Sequence, residues 1–363
     1  MQDALDDISV LEVGVMTPGK FCGFLLTGWG AKSTRIERAV APDGISEEDL
    51  LLNRGKQSLV LNLRDAADRQ TFLDLARDAD VLIESYRPGV TGRMGIAYDD
   101  IEAINPGIVY CSLSGFGQNG PKALRPAYDL LFQAESGLLQ ALWGNGGAIV
   151  PPQTFLADAV SGLMAAFAIS AALQARGRGG QGRHIDLSML ESLFSLLSVS
   201  HGTIREGEAI SAARSAIWSR RPVYNVYRAG DGRDIAITAV SEQSSRALFC
   251  YLGNETLWEQ GLLAGEEGQA ALRFLQERFA QGAAQFWIDE LSQLGVEIAL
   301  VKTATEAFDD PQLLARNMSL QTQDQHGRAL RQIGFPATAA GSPDLDPAPA
   351  PGEKPPTKTR TDT

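Results

Sequence analysis

The carboxylate of Asp158 is the one ionisable side chain between Glu135 and Arg176. It lies in the segment Phe155-Leu-Ala-Asp-Ala-Val-Ser-Gly162, at the start of a strongly apolar stretch whose composition predicts a helix. An unpaired carboxylate is costly to take into an apolar environment. We therefore expect either that the fold supplies hydrogen-bond donors to Asp158 or that a function requires a carboxylate at this place.

Two interpretations of Asp158 follow from its position. An aspartate before an apolar helical stretch commonly caps the helix, because its carboxylate accepts hydrogen bonds from the first free N–H groups. Alternatively, the helix N-terminus holds the carboxylate ionised at the floor of a pocket, where it acts as a nucleophile. In the second case Gly162, one helical turn later, leaves room for a substrate.

Histidine, cysteine and metal chemistry are not favoured. The chain has three histidines and three widely separated cysteines: His184, His201, His326, Cys22, Cys111 and Cys250. No histidine has a second ligand at a recognisable metal-binding spacing, and the cysteines have neither zinc-site nor disulfide spacing. We expect no metal site, no tightly bound cofactor and reduced thiols, as in a cytoplasmic protein.

Two glycine-rich segments resemble binding motifs. Gly115-Phe-Gly-Gln-Asn-Gly120 has the glycine spacing of a dinucleotide-binding loop, but Pro121 and Pro126 delay the helix that should begin within it. Arg176-Gly-Arg-Gly-Gly-Gln-Gly-Arg183 has no interleaved aromatic residues, so it predicts a helix end with a glycine exit better than an RNA-binding segment.

The elements around these residues alternate between strands and helices, which predicts an α/β fold with a parallel sheet covered by helices. The predicted strands are Ile8–Val13, Ser33–Glu37, Ser58–Leu63, Val81–Ser85, Ile108–Ser112 and Arg183–Leu187, and the predicted helices of this part include Phe21–Trp29, Ala66–Ala79 and Asp99–Ile104. Asp65 is predicted to cap the second of these helices. Ala127–Ala175 predicts two long helices separated by a turn.

A change in the sequence pattern after the large domain's strands and helices predicts a smaller α+β domain. Gly230-Asp-Gly232 predicts a hairpin between two alternating runs, and amphipathic helices follow. We expect the large domain to comprise 1–221 and 305–340, the small domain to comprise 222–304, and 341–363 to form a flexible Pro-rich tail. A further hairpin is predicted around His326.

Composition and charge limit the class of protein. The chain has 363 residues, of which 44% are hydrophobic, enough for a full core and two domains. Its net charge of −12 argues against binding to nucleic acid or an acidic membrane. The first seven residues are acidic rather than those of a secretory segment, and the apolar stretch Gly162–Ala175 is too short to span a bilayer. We expect a cytoplasmic protein.

Several ordered blocks resemble the family III coenzyme A transferases, the group that includes formyl-CoA:oxalate and carnitine CoA-transferases. The blocks are Asn53-Arg-Gly-Lys-Gln-Ser-Leu-Val-Leu-Asn-Leu63, Asp80-Val-Leu-Ile-Glu-Ser-Tyr-Arg-Pro-Gly89, Arg93-Met-Gly95, Asn105-Pro106, Ser114-Gly-Phe-Gly-Gln-Asn-Gly-Pro121, Tyr128-Asp129, the Asp158 segment and Gly179-Gly-Gln-Gly-Arg-His-Ile-Asp-Leu-Ser-Met189. The resemblance extends from Leu11 to about Pro351.

The resemblance implies a Rossmann-like large domain, a smaller domain and two subunits threaded through each other as interlocked rings. It implies that Asp158 is the nucleophile of a CoA-transferase and that CoA or acyl-CoA is a substrate. The CoA contacts of the family correspond to Thr17, Arg38, Leu61, Arg64, Ser85, Tyr86, Arg93 and Met94, with a further contact around Tyr128. Arginines suit the anionic phosphates of CoA.

Other functions remain open. Pro18-Gly-Lys20 departs from the Ala-Gly-Pro usual in the family, and Thr17 stands where the oxalate enzyme has glutamine. A related 2-methylacyl-CoA racemase uses histidine and aspartate where this chain has Tyr128-Asp129, and tyrosine is a poor base at neutral pH. The altered segment around Thr17 also allows a non-catalytic CoA-binding partner subunit in a heterodimer with a paralogue rather than a homodimer.

Overall fold

The structure is a computed structural model, which describes residues 4–14, 16–38, 45–143, 149–201, 221–324, 326–336 and 345–348. The chain divides into two compact units. The first unit comprises Met1–Val199 and Phe308–Thr363, and the second comprises Ser200–Ala307. The second unit contains the whole of the predicted small domain, whose bounds remain a prediction.

The first unit is built on a six-stranded parallel sheet. Its strands are β1 (Ser9–Val13), β2 (Lys32–Glu37), β3 (Gln57–Val60), β4 (Val81–Glu84), β5 (Val109–Ser114) and β6 (Arg183–Ser188). The helices of this part are α1 (Thr17–Gly28), α2 (Glu47–Leu52), α3 (Ala66–Arg77), α4 (Val90–Met94), α5 (Tyr98–Glu102), α6 (Asp129–Glu135), α7 (Leu138–Trp143), α8 (Leu156–Gly177), α9 (Met189–Leu196) and α10 (Ser198–His201).

The strand order is β3-β2-β1-β4-β5-β6. The chain starts in the middle of the sheet, moves outwards through β2 and β3, and returns to the other side of β1 as β4. This is the order of the Rossmann fold, in which ligands bind beside the carboxyl ends of the strands where the direction of winding changes. The predicted α/β fold with a parallel sheet is confirmed.

Burial explains why these strands form the centre of the unit. Val81, Leu82 and Ile83 of β4 are fully buried, and Leu82 and Ile83 belong to the hydrophobic cores on opposite faces of the sheet. Because both faces are covered, the strand reads as a continuous apolar run. The predicted cap of α3 is also confirmed, since the Asp65 carboxylate accepts the N–H groups of Ala67 and Asp68.

Helix α8 is longer than the apolar stretch that predicted it. The helix has 22 residues, and an 18-residue window of it has a mean hydropathy of 1.8, so by length and composition alone it could cross a bilayer. The helix packs on α1, α9 and β5, as a core helix does. The helix ends at Gly177, and Gly179 adopts a positive φ of 87° just after it. Arg176 in the last turn pairs with Asp80 at 2.7 Å. The predicted helix end with a glycine exit is therefore confirmed.

The second unit contains an antiparallel sheet in the order β7-β8-β9. Its elements are β7 (Tyr224–Arg228), β8 (Asp234–Thr238), α11 (Glu242–Tyr251), α12 (Trp258–Gly261), α13 (Gln269–Phe279), α14 (Ala284–Gln293), β9 (Ile298–Leu300) and α15 (Ala304–Phe308), whose last residue belongs to the first unit. The predicted hairpin joins β7 to β8, and Gly232 supplies a positive φ of 79° in its turn.

Two parts of the first unit differ from the prediction. The first of the two long helices breaks into α6 and α7 at Gly137, which has a positive φ of 80° that ends a helix. The predicted tail is packed at 345–348, where the Asp346 carbonyl accepts the Gly55 N–H at 2.9 Å and Ala348 is buried. The remainder of 341–363 lies outside the described residues.

After α15 the chain forms α16 (Pro311–Ala315) and the antiparallel pair β10 (Ser319–Gln323) and β11 (Ala329–Ile333). This pair confirms the hairpin predicted around His326. Phe335, just after β11, packs against Phe24 and Trp29 at ring-centroid distances of 5.7 Å. Phe335 therefore closes the core beside α1.

Candidate active site

Asp158 is the third residue of α8, and it does not cap that helix. The N-cap position belongs to Phe155, whose side chain makes no capping hydrogen bond. The Asp129 carboxylate takes this role, because its Oδ2 accepts the N–H groups of Ala157 at 2.7 Å and Asp158 at 3.2 Å. The interpretation of Asp158 as a helix cap is therefore wrong, and its own carboxylate is left for another purpose.

The environment of Asp158 disfavours the charged form of its carboxylate. Burial raises the pKa of Asp158 to about 7, and the negative charges of Asp129 and Glu48 act in the same direction. The helix N-terminus favours the anion, but this effect is smaller than the combined effect of burial and two neighbouring acids. The pKa of Asp158 therefore lies close to neutral pH.

A polar wall beside Asp158 is formed by α1 and α2. The Thr17 hydroxyl donates to both Glu48 oxygens at 3.1 and 3.2 Å. The Lys20 ammonium, which is buried, lies 2.8 Å from Glu48 Oε1 and 2.9 Å from Asp49 Oδ1. The Pro-Gly-Lys departure noted in the sequence thus places a cation between two acids near the proposed nucleophile.

The space beside Gly162 is occupied by α1 rather than by a cavity. A Cβ atom at Gly162 would lie 2.9 Å from the Pro18 carbonyl oxygen and 2.9 Å from Phe21 Cδ1. Glycine is needed at this position so that α8 can approach α1 closely. The expectation that Gly162 leaves room for a substrate is wrong, and its effect is to fix α1 against the first turns of α8.

A cleft of about 160 Å³ opens at the carboxyl edge of the sheet, where β1 and β4 lie side by side. Ser85, Tyr86, Ser114 and Tyr128 contribute polar lining, together with arginines, and Pro18 is among the apolar lining residues. The cleft lies at the change of winding direction, the usual ligand site of this fold. Tyr128 is followed directly by Asp129, so the cleft adjoins the start of α6 and the Asp158 segment.

The predicted CoA contacts fall into two groups. Ser85, Tyr86 and Tyr128 line the cleft, and Thr17 lies between two lining residues. Arg38, just after β2, lies close enough to Tyr86 to oppose the rise that burial causes in the pKa of that tyrosine.

The other predicted contacts are not brought into the cleft lining. Arg64 and Arg93 are exposed near the same sheet edge, after β3 and within α4. Met94 is half-buried against the core. The Leu61 side chain is buried in that core, so any contact of Leu61 with a ligand must use its main chain.

Glu84 was not predicted, although it positions a predicted residue. It is the buried last residue of β4, and its Oε2 accepts the Tyr86 N–H at 2.8 Å. Burial raises the pKa of Glu84 to about 7, although hydrogen bonds from Ser112 and Tyr86 oppose this rise. An acid at the end of an apolar strand, Val81-Leu-Ile-Glu84, was the available sequence signal.

The glycine motif does not form a dinucleotide site. Gly117 and Gly120 adopt positive φ angles of 85° and 90°, but the next helix begins at Asp129, as the intervening prolines predicted. The Gln118 N–H donates to the Asp186 carboxylate, so it is already paired within the protein. Among the described residues, no group of three or more His, Cys, Asp and Glu side chains is arranged to hold a metal ion.

Known proteins that are similar to this chain include a CoA-transferase and a racemase. Acetyl-CoA:oxalate CoA-transferase of Acetobacter aceti is 33% identical, over 94% of this chain and 92% of that protein. The human alpha-methylacyl-CoA racemase is 34% identical over 69% of this chain and 65% of that protein. The crystal structure of Rv3272 from M. tuberculosis superposes with a TM-score of 0.81 at 26% identity, covering 97% of each chain. Residues 5–354 match CoA-transferase family III, and the chain is therefore an enzyme that belongs to this family.

Proposed function

We propose that this enzyme transfers CoA from an acyl-CoA donor to a carboxylic acid and that Asp158 is its nucleophile. The observation that carries the proposal is that Asp129, and not Asp158, caps α8. A half-buried carboxylate with a raised pKa and no capping role contributes little to stability. The start of α8 is bound by Asp129, which directly follows Tyr128 of the cleft lining, so Asp158 lies near the cleft as a covalent carrier requires.

The proposed chemistry consists of acyl transfers. An Asp158 oxygen attacks the thioester carbon, and CoA leaves as the thiolate. The acyl group and Asp158 are then joined as a mixed anhydride. The thiolate then attacks the Asp158 carbonyl carbon, so the donor acid departs and an aspartyl-CoA thioester remains. The acceptor carboxylate attacks this thioester, and the released thiolate takes the acceptor acyl group from the second anhydride, which regenerates Asp158. No metal or redox cofactor takes part, and CoA enters only as substrate.

The residues proposed to contact CoA form two groups, the arginines that suit its phosphates and the remaining contacts. Arg38, Arg64 and Arg93 suit its phosphates, since guanidinium groups bind phosphate oxygens in bidentate geometry. The remaining contacts are proposed from the resemblance to the family and are Thr17, Leu61, Ser85, Tyr86, Met94 and Tyr128. The position of Ser85 and Tyr86 in the cleft supports a path from the sheet edge towards Asp158.

Racemisation and a purely binding role are supported less well. A racemase needs a base beside the substrate, but Asp129 is occupied by α8 N–H groups and by the Gln133 side chain, and Tyr128 is a poor base. A non-catalytic subunit has no need of a carboxylate such as Asp158. The names of the relatives include both transferases and a racemase, so the reaction must be tested directly.

Trapping of the acylated carboxylate tests the proposal. We expect the protein incubated with acetyl-, succinyl- or formyl-CoA and then with hydroxylamine to carry a mass change on the peptide that contains Asp158. Asp158→Ala should fold and lose all transfer, whereas Asp289→Ala, on an exposed face of α14, should keep it. A label on another residue, or normal transfer by Asp158→Ala, would exclude this mechanism.

We also propose that the enzyme is cytoplasmic and forms an interlocked dimer, as a homodimer or with a paralogue. An exposed apolar surface on the first unit supports a second copy as the partner, and we name it the α8 surface. It consists of Phe155, Leu163, Met164, Phe167 and Phe194. Clustered exposed side chains of this size are typical of protein interfaces rather than of solvent-facing helices.

A further inference from the structure

One hydroxyl in the cleft has no partner within the described parts of the chain. Ser114 is 5% exposed and lines the cleft, and its Oγ makes no hydrogen bond to any residue that the structure describes. Ser85, another buried serine of the lining, differs because its Oγ accepts the Met16 N–H at 3.3 Å. A buried hydroxyl without a partner is unfavourable, so Ser114 is best explained by a group that enters the cleft.

The position of Ser114 indicates which part of a substrate it meets. Ser114 ends β5, and the register that pairs Glu84 with Ser112 brings Ser114 beside the Tyr86 segment, where CoA is proposed to enter. On its other side, Phe132 of α6 packs against Gly115, and α6 begins with the residue that caps α8. Ser114 therefore lies between the nucleotide contacts and the nucleophile.

The portion of CoA that connects these two places is the pantetheine arm. Its amide groups each offer one N–H donor and one carbonyl acceptor, which a serine hydroxyl can match in either direction. The alkyl segments between them match the apolar part of the lining, which includes Pro18, Leu113 and Met189. A neutral hydroxyl suits a neutral amide better than the carboxylate of an acceptor acid, which calls for a cation.

We propose that the Ser114 hydroxyl binds the pantetheine arm of CoA through a hydrogen bond to one of its amide groups. This inference rests on the proposed function for the direction in which CoA lies. Because the arm is common to all CoA thioesters, the contact contributes to binding of CoA itself and does not select the acyl group.

Calorimetric titration with CoA and with acetyl-pantetheine, without an acceptor acid, tests the inference. We expect Ser114→Ala to weaken binding of both ligands by the same factor, about 3- to 10-fold, the size of one net hydrogen bond. Arg38→Ala should weaken CoA binding but not acetyl-pantetheine binding, since only CoA has the nucleotide phosphates. Ser33→Ala removes an equally buried hydroxyl that is bonded to Thr27 and should change neither affinity.

Unchanged affinity of Ser114→Ala for CoA, with normal circular dichroism, would overturn the inference while leaving the proposed function intact. An effect on acetyl-pantetheine that is absent for CoA would also overturn it, because the hydroxyl would then meet the acyl group. Wild-type protein that binds CoA but transfers nothing would remove the proposed function and leave the contact standing. Wild-type protein that binds neither ligand would overturn both.

Discussion

The charge state of Asp158 should set the pH range of the reaction, because a carboxylic acid attacks a thioester only after it loses its proton. Burial and two neighbouring acids raise the pKa of Asp158 to about 7. The protonated form dominates below that value, so kcat/KM should rise with pH through an apparent pKa near 7 and then level off. Initial rates of CoA transfer across this range check the expectation, and a rate that stays constant down to about pH 5 would contradict it.

Lys20 should control this titration through Glu48, which it pairs at 2.8 Å. Lys20→Met removes the ammonium partner of Glu48, whereas Asp49 keeps Arg35 at 3.1 Å. The charge of Glu48 should therefore act more strongly on Asp158 and raise its pKa further. We expect the acidic limb of the kcat/KM profile to move upwards by about 0.5–1 pH unit, a typical effect of one partly screened charge.

The double variant Lys20→Met/Glu48→Gln provides the control for this expectation. Removal of the Glu48 charge should return the acidic limb towards the wild-type position, although both variants lose the same ion pair. If the single and double variants have the same profile, the effect of Lys20 is structural and not electrostatic. A lower kcat without any shift of the limb would lead to the same conclusion.

At the residue scale, the sequence singled out Asp158, the resemblance to the family suggested its role as nucleophile, and its surroundings were not predicted. Asp158 was visible because it is the one ionisable group in a long uncharged stretch. The cap by Asp129 was not visible, because it joins α6 to α8 across residues that local spacing cannot relate. The same holds for Lys20 and Glu48, which are brought together by the packing of α1 against α2.

Helix α8 depends on close approach to α1, and the two glycines Gly162 and Gly177 allow this to be tested. Gly162→Ala places a Cβ 2.9 Å from the Pro18 carbonyl oxygen, so α1 must shift or strain. We expect a loss of about 1–3 kcal/mol in the free energy of unfolding, as for other overpacked sites. Because the shift would move the Thr17–Lys20 wall, transfer activity should fall as well.

Gly177→Ala is the matched control on the same helix. A Cβ at Gly177 would meet nothing within 4 Å, so this variant should be neutral or more stable by up to about 1 kcal/mol through helix propensity. Urea unfolding of both variants provides the measurement. Equal stability of the two variants would show that α8 does not need close contact with α1 at Gly162.

At the element scale, strands were easier to predict than helices or pairing. Buried strands such as Val81–Glu84 stand out as short apolar runs, so their positions were nearly correct. Helix α1 begins at Thr17, four residues before the predicted start at Phe21. The prediction was late because Pro18 and Gly19 are typical of a turn, whereas proline is in fact well accommodated in a first helical turn. Strand order depends on long-range packing, which local sequence patterns do not reveal.

At the scale of the whole molecule, composition predicted the class and not the assembly. The net charge of −12 argued against binding to nucleic acid or an acidic membrane, and the lack of metal-ligand spacings in the sequence argued against metal chemistry. The exposed side chains of the α8 surface read in sequence as core residues, because an apolar helix pattern does not reveal which protein covers it. The dimer therefore remains a proposal that rests on resemblance and on this surface.

The interlocked dimer predicts a mass that does not depend on concentration. We expect light scattering to give twice 38.9 kDa, and dilution to nanomolar concentration should leave this mass unchanged, because linked rings separate only if a unit opens. A simple surface dimer would dissociate on dilution. A monomeric mass at every concentration would exclude a homodimer and direct attention to a paralogous partner.

Substitutions on the α8 surface extend this prediction. Phe167 is 70% exposed, and Phe167→Glu should reduce the yield of dimer, because a carboxylate would be buried without a partner in the assembled molecule. Phe286, on α14 of the second unit, is 49% exposed, and Phe286→Glu serves as the matched control that should leave the mass at twice the chain. Analytical ultracentrifugation measures the dimer fraction of both variants. Equal dimer fractions would show that the α8 surface is not the interface. A lower dimer fraction in Phe167→Glu alone would place the second subunit against the helix that carries Asp158.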